Sequence, residues 1–281
     1  MIRILARVFV FCVIAVFNSI TPEHAAAQTT RIVSLAPNIT EILFALNVGP
    51  QIVGVTKQCN FPAEAKQKTI VGDMIRPSLE TIISLKPTTV FATETTPRET
   101  IAALQKHGIE VVDIAPKRVT EVAAAIELIG KKLGASGKAA LIATDIRAAL
   151  AELDEKSQIR KKSAARKAVV LLQISPAIAA GIDTWLGNIL ERAGFVNIAA
   201  KQRLPWPQLS REFLLAEKPD YVFFDAMAFG GSSSESQIKE SMQRLWNSTA
   251  SAPKTVMLPA DILMRPGPRL AQGLRFLVEN P

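Results

Sequence analysis

The chain has 281 residues, 48% of them hydrophobic, 21% charged and only 6% aromatic, with a formal net charge of +8. These values place it among ordinary globular α/β proteins of one large or two medium domains, long enough to bury a proper core. The basic balance does not make it a nucleic-acid binder, because no run of five like charges occurs; it reads as solubility with a bias towards anionic surfaces.

The first segment carries Arg3 and Arg7, an apolar run over residues 8–17, and Ala25, Ala26 and Ala27 ahead of Gln28. This is the pattern of a secretory signal peptide spanning residues 1–27. The apolar run falls well short of the roughly 20 residues that a bilayer span needs. Cys12 lies within it without the small residues that mark a lipid anchor. Losing Arg3, Arg7 and Glu23 with the leader takes the charge from +8 to +7 and leaves Cys59 as the one cysteine. An exported chain with a single thiol has no internal disulfide, so its stability must come from its core. The expectation is a soluble periplasmic monomer.

Residues 31–35 read as a short strand, after which Thr40 and Glu41 open an amphipathic helix closed by Gly49. A second strand, 52–55, leads into a loop over 56–61, a helical turn at 63–68 and a strand at 70–72. Residues 78–91 then read as a helix stopped by Lys86-Pro87 and followed by a strand. Residues 98–107 are helical and 110–114 a strand. This alternation predicts a parallel sheet with helices on both faces and any ligand at the carboxyl ends of the strands.

From 119 to about 163 there is no strand signal. Two stretches rich in Ala, Leu, Glu and Lys, 120–133 and 135–159, predict a helical spacer whose breaks fall at Gly134 and Gly137. The run Arg160-Lys161-Lys162 reads as a solvated helix end.

A second lobe restarts at Lys167 with a strand, a loop over 175–184 and a helix that Gly194 stops. A short strand near 196–199 leads to Leu204-Pro205-Trp206-Pro207, a stiff loop with an aromatic at its tip. Residues 210–223 repeat 78–91 at a constant spacing of 132 positions, as from Ser78 to Ser210. Glu80 matches Glu212, Ile82 Leu214, Ile83 Leu215, Lys86 Lys218, Pro87 Pro219, Val90 Val222 and Phe91 Phe223. In each copy serine caps, a carboxylate sits in the positive first turn, and the residue before proline leaves helical geometry. Two such units imply two lobes of like architecture. A loop over 225–232, a helix at 237–246, a strand at 255–258 and a closing helix at 269–278 complete the reading. The resulting division is an N-terminal lobe over 28–118, a helical connector over 119–163 and a C-terminal lobe over 164–281.

The reactive centres of enzymes are missing. No G-x-S-x-G, H-E-x-x-H, Walker or G-x-G-x-x-G pattern occurs. With His24 leaving in the leader, the one remaining histidine is His107, at the end of a helix just before a glycine, where a C-cap role is the ordinary one. Cys59 has no His or Cys neighbour with which to hold a metal. Hydrolysis by paired carboxylates stays open, but nothing in the sequence selects a pair, and no cofactor or metal site stands out.

The segments RIVSLAPNITEILFALNVG and GVTKQCNFP, the two S-x-E helices with Lys-Pro stops, the LPWPQLSRE stretch and the final RPGPRL together resemble the periplasmic substrate-binding proteins of the cobalamin and iron-siderophore import group. The likeness covers residues 31–278. It implies two Rossmann-like α/β lobes with parallel sheets, joined by one long helix, with a ligand cleft between them. It also implies that the protein delivers a small molecule to an ABC permease dimer. By position, Glu80 and Glu212 would meet the two permease subunits.

The resemblance further implies a cleft lined from the first lobe by Pro37, Asn38, Gln58, Cys59, Met74 and Thr93, and from the second by Ile178, Trp206, Asp261, Leu263 and Arg265. Trp206 matches an aromatic that holds the corrin in cobalamin binders. At Gln58, Met74, Thr93 and Ile178 the group's aromatics are replaced. Lys57, Arg76, Arg203 and Arg265 lie on loops expected to face the cleft and would suit an anionic ferric chelate. A corrinoid is therefore the first ligand expected and a ferric siderophore the runner-up. Haem ranks last, because Tyr221 in a strand and His107 on a helix are poorly placed as axial ligands.

Overall fold

The computed structural model describes residues 30–162, 166–224, 235–246 and 252–279. The leader and the whole of the predicted loop over 225–232 lie outside the described residues. Two sheets organise the chain.

The first sheet is wholly parallel, in the order β3-β2-β1-β4-β5. Its strands are β1 (Ile32–Ser34), β2 (Ile52–Val55), β3 (Thr69–Ile70), β4 (Thr89–Ala92) and β5 (Glu110–Asp113). Helices α1 (Pro37–Ala45), α2 (Leu79–Ser84) and α3 (Arg98–Lys106) cross between them. β2 and β4 flank β1 on opposite sides, so the crossovers diverge at β1 and open a crevice outside its carboxyl end. The predicted first helix starts earlier than expected, at Pro37, where a fixed φ and a missing N–H cost nothing. Nor is it amphipathic in its first two turns, since Pro37 to Leu43 are all buried.

The second sheet follows the path β11-β10-β6-β7-β9, with β8 pairing β6. Its strands are β6 (Arg166–Ile174), β7 (Ala177–Ala179), β8 (Phe195–Asn197), β9 (Gln208–Leu209), β10 (Tyr221–Phe224) and β11 (Lys254–Met257). β8, β10 and β11 run parallel as predicted. β7 and β9 are antiparallel; β7 lies within the predicted loop 175–184, and β9 directly follows the predicted loop 204–207. Around this sheet pack α6 (Trp185–Arg192), α7 (Arg211–Glu217), α8 (Glu235–Trp246), a short α9 (Ala260–Leu263) and α10 (Leu270–Glu279).

Between the sheets run α4 (Val122–Lys132) and α5 (Ser136–Lys162). Gly134, at φ +70°, makes the turn between them, a conformation that glycine adopts without a Cβ penalty. Gly130 is needed for a different reason: a Cβ there would lie 2.3 Å from that of Ala139. Small residues thus let the two helices approach closely. Ala139, Ala143, Ile146, Leu150 and Leu153 form the buried stripe of α5 and join a core that includes residues of both sheets and of α10.

Arg160 corrects the expectation of a solvated helix end. It is buried, donates to the carbonyls of Ala193 and Leu277 at 2.9 Å each, and lies over the Phe195 ring. Burial lowers its pKa.

The repeat is built as its residues imply. The hydroxyls of Ser78 and Ser210 accept from the backbone N–H of Thr81 and Phe213. Ile82 and Leu214 are fully buried, and each helix runs into a buried strand. Lys86 and Lys218 both adopt the left-handed region, at φ 46° and 47°, ahead of a buried proline. The shared departure is how each copy satisfies the ban on right-handed helical geometry before proline.

Candidate cleft between two sheets

The carboxyl ends of the strands face a cleft with two cavities. The larger, about 850 Å³, is lined by Glu94, Pro116, Lys117 and Arg118 from the first half and by Gly181, Asp183, Thr184, Trp185, Gly187, Asn188, Glu191 and Trp206 from the second. The smaller, about 400 Å³, is lined by Pro37, Asn38, Met74, Thr93, Glu94, Thr95 and Pro116, together with Asp261, Met264, Arg265 and Pro266 of the tail. Glu94 and Pro116 belong to both, so the two spaces adjoin. Each volume is that of a small-molecule site.

The placements follow from the strands. Pro37 and Asn38 open α1 just after β1, and Thr93 and Glu94 follow β4, the two strands that meet at the crevice. Trp185 begins α6, whose first turn is capped by the Thr184 hydroxyl accepting from Gly187 N–H at 3.1 Å. Its indole N–H donates to the Leu263 carbonyl at 2.7 Å, which fixes the ring. Trp206 is 54% exposed. Its loop is held by Gly181 N–H donating to Pro205 O at 2.8 Å and Ala179 N–H to Pro207 O at 3.0 Å. Met74 stands 132 positions before Trp206, the spacing of the repeat, so the two loops that enter the repeated helices present these residues to the cleft from opposite sides.

Of the predicted contacts, Pro37, Asn38, Met74, Thr93, Asp261 and Arg265 come together in the smaller cavity and Trp206 lies in the larger. The others are placed differently. Cys59 is 2% exposed, held between the Thr40 and Thr56 hydroxyls at 3.1 and 3.2 Å. Leu263 is fully buried under Gly273. Both are core residues. Ile178 pairs in β7, and Gln58 is half-buried; neither lines a described cavity.

The expected cations also redistribute. Arg76 and Arg203 are exposed and line neither cavity, while Lys57 pairs with Asp73 at 3.5 Å. Arg265 does reach the smaller cavity, but it is engaged by Glu41 at 3.1 Å, Asp261 at 3.0 Å and Asn60 at 2.8 Å. Glu41, Arg269, Trp185 and the charged lining at Glu94, Lys117, Arg118, Asp183 and Glu191 did not stand out in the sequence. Trp185 carried a usable signal, a capping threonine and an aromatic opening a helix after a strand.

Residues 32–256 match the model of a family described as periplasmic binding protein. The chain belongs to that family. This periplasmic binding protein is 30% identical over 275 residues to a vitamin B12-binding protein of Vibrio cholerae, covering 95% of this chain and 92% of the relative. It is 28% identical over 253 residues to one of Pectobacterium atrosepticum, covering 89% and 87%. It is 29% identical over 258 residues to a Bacillus subtilis protein named as an uncharacterized ABC transporter substrate-binding lipoprotein, YvrC, covering 90% and 80%. Among solved structures, the vitamin B12 binding protein BtuF of Vibrio cholerae superimposes with a TM-score of 0.71 at 26% identity, covering 89% of this chain and 95% of that one. The heme-binding protein RhuT of Roseiflexus sp. RS-1 does so with 0.76 at 26% identity, covering 89% and 97%. A periplasmic binding protein carries a ligand and is not an enzyme.

Proposed function

We propose that this protein is the substrate-binding component of an ABC importer, exported to the periplasm with loss of residues 1–27, and that its ligand is a cobalamin-like corrinoid. The deciding observation is the chemistry of the cleft. The whole chain has one tyrosine and, without the leader, one histidine. Tyr221, in β10, lines a separate cavity of about 510 Å³ at the amino ends of β6, β10 and β11, His107 caps the exposed end of α3, and neither lines the cleft cavities. An iron porphyrin held by an axial His or Tyr finds neither there.

An anionic ferric chelate is also poorly matched. The larger cavity sets Glu94, Asp183 and Glu191 against Lys117 and Arg118, and the one arginine of the smaller cavity is neutralised by carboxylates. A neutral or weakly charged ligand rich in amides fits such a wall better, with Asn38, Thr93, Thr95 and Asn188 as partners and Trp185 and Trp206 against its flat faces. The vitamin B12-binding relatives support the same choice.

Glu80 and Glu212 are exposed, on equivalent first turns of the repeat. That symmetry suits a permease built from two like subunits, and we assign them to docking. The test is a titration with cobalamin, cobinamide, a ferric siderophore and hemin, followed by tryptophan fluorescence and calorimetry. Tight binding of the corrinoids is expected; binding of the siderophore or hemin alone would overturn the assignment.

A further inference from the structure

Two of the most exposed apolar side chains lie on the rim of the cleft and line neither described cavity: Ile75 is 68% exposed and Leu204 56%. Each stands on the loop that leads into one copy of the repeated helix. Ile75 is three residues ahead of the capping Ser78, and Leu204 six ahead of Ser210. The first loop follows β3 and the second follows β8, strands that run parallel to the central strands of their sheets. Both loops therefore lie at carboxyl edges, the side on which the cleft opens.

Neither side chain is loosely displayed. In the first loop Gly72, at φ +103°, forms a bridge with Pro77, and a Cβ at that glycine would lie 2.6 Å from the Arg76 carbonyl. Asp73 Oδ1 accepts from the N–H groups of Ile75 and Arg76 at 3.0 and 2.7 Å, and Lys57 pairs with the same carboxylate. In the second loop the carbonyls of Pro205 and Pro207 are both taken by backbone donors. Arg203 is held at φ 53°, and Gly181 leaves no room for a side chain beneath Leu204, whose carbonyl would lie 2.1 Å from a Cβ there.

A branched apolar side chain fixed in water gains nothing for the fold. It does gain from a partner that covers it, and a rigid loop loses little entropy on being covered. We infer that Ile75 and Leu204 are a pair of apolar contact points for the permease, one per lobe, flanking the charged pair Glu80 and Glu212. This rests on the docking role proposed for those glutamates. The occupant follows from continuity with those glutamates: each apolar side chain stands on the loop that enters the helix carrying one of them, Ile75 five residues ahead of Glu80 and Leu204 eight ahead of Glu212, so a partner with two like subunits that covers the acidic pair reaches the apolar pair as well.

The experiment measures binding of the ligand-free protein to the cognate permease dimer in nanodiscs, over a range of salt. I75S/L204S should weaken docking by roughly 30-fold at every salt concentration, as loss of central apolar contacts does. Cobalamin affinity and melting temperature should stay as in the parent. I75V/L204M, which keeps the surface apolar, should dock normally. E80A/E212A should weaken docking most at low salt. If I75S/L204S docks normally while E80A/E212A does not, the apolar inference is wrong and the docking reading stands. Normal docking by both double variants overturns the docking reading itself. If I75S/L204S instead loses cobalamin, the two side chains belong to the ligand's lip and the inference fails.

Discussion

Glu41 and Arg269, 228 residues apart in the chain, meet as a two-pronged ion pair. Arg269 donates through Nε and Nη2 to the two carboxylate oxygens at 2.8 and 2.6 Å. The Glu41 side chain is 1% exposed, and Arg265 adds a third bond. The Arg269 guanidinium also stacks on Phe61 at 4.0 Å. Asn38 approaches the Pro266 carbonyl beside it. The tail after β11 is thereby strapped onto the first turns of α1, next to the smaller cavity. Removing the carboxylate leaves the partly buried Arg269 guanidinium without its counter-charge, and Arg265 with Asp261 as its carboxylate partner, at a cost of about 3–5 kcal/mol. For E41A a melting temperature lowered by roughly 10 °C is expected in a thermal scan. An unchanged value would show that the strap carries no stability.

Trp206 presents an exposed ring on a braced loop, so its removal should disturb the ligand and not the fold. W206A should weaken cobalamin by at least about tenfold in calorimetry, a typical loss for an aromatic contact, while W206F keeps most of the affinity. Equal binding by W206A would remove the ring from the site.

Glu212 makes its sharpest prediction through acid. The carboxyl of Glu212 is held below the usual range by its own backbone N–H and then by the Ser210 hydroxyl. It therefore stays charged as pH falls from 7 to 5, and docking should be constant over that interval and fail only below about pH 4. A midpoint near pH 6 would point to a histidine instead.

Stability should follow the same sign. Asp73 is held low chiefly by the Arg76 N–H, and Glu217 chiefly by Lys201. Carboxylates depressed by folding stabilise above their unfolded pKa and stop doing so as pH drops through the folded value. Melting temperature should be level from pH 7 to about 5 and decline below about 4, where these groups take up protons. A maximum at pH 3 would contradict it.

Cys59 is a buried free cysteine. A thiol reagent should label it only after denaturant is added, and reductant should leave the melting temperature unchanged. Rapid labelling of the native protein would mean that the Thr40–Cys59–Thr56 packing opens readily.

What the sequence made legible was local. Ser78 and Ser210 cap, Lys86-Pro87 and Lys218-Pro219 stop, and the strands that follow them lie where hydrophobicity places them. β7 and β9 escaped notice because three and two residues carry no readable alternation, and their partners lie across a turn or a loop. Glu41 read as a helix-opening carboxylate because its partners are 224 and 228 residues away. Arg160 read as part of a solvated charge run, since nothing nearby in the chain announces the carbonyls of Ala193 and Leu277. In the cleft, the loops that lead into the two repeats were visible from Trp206, whereas Glu94 and Glu191 look like any other surface carboxylate until both sheets are in place.

Helix α5 has 27 residues, a rod of about 40 Å, packed along its length against α4 at one end and α6 and α10 at the other. Such a rod acts as a gauge block: it sets the gap into which a guest must fit before any contact is made. Four residues added to its middle would lengthen it by about 6 Å and swing one half by about 40° relative to the other. Thickness of the guest, on this view, is selected by a helix that never touches it.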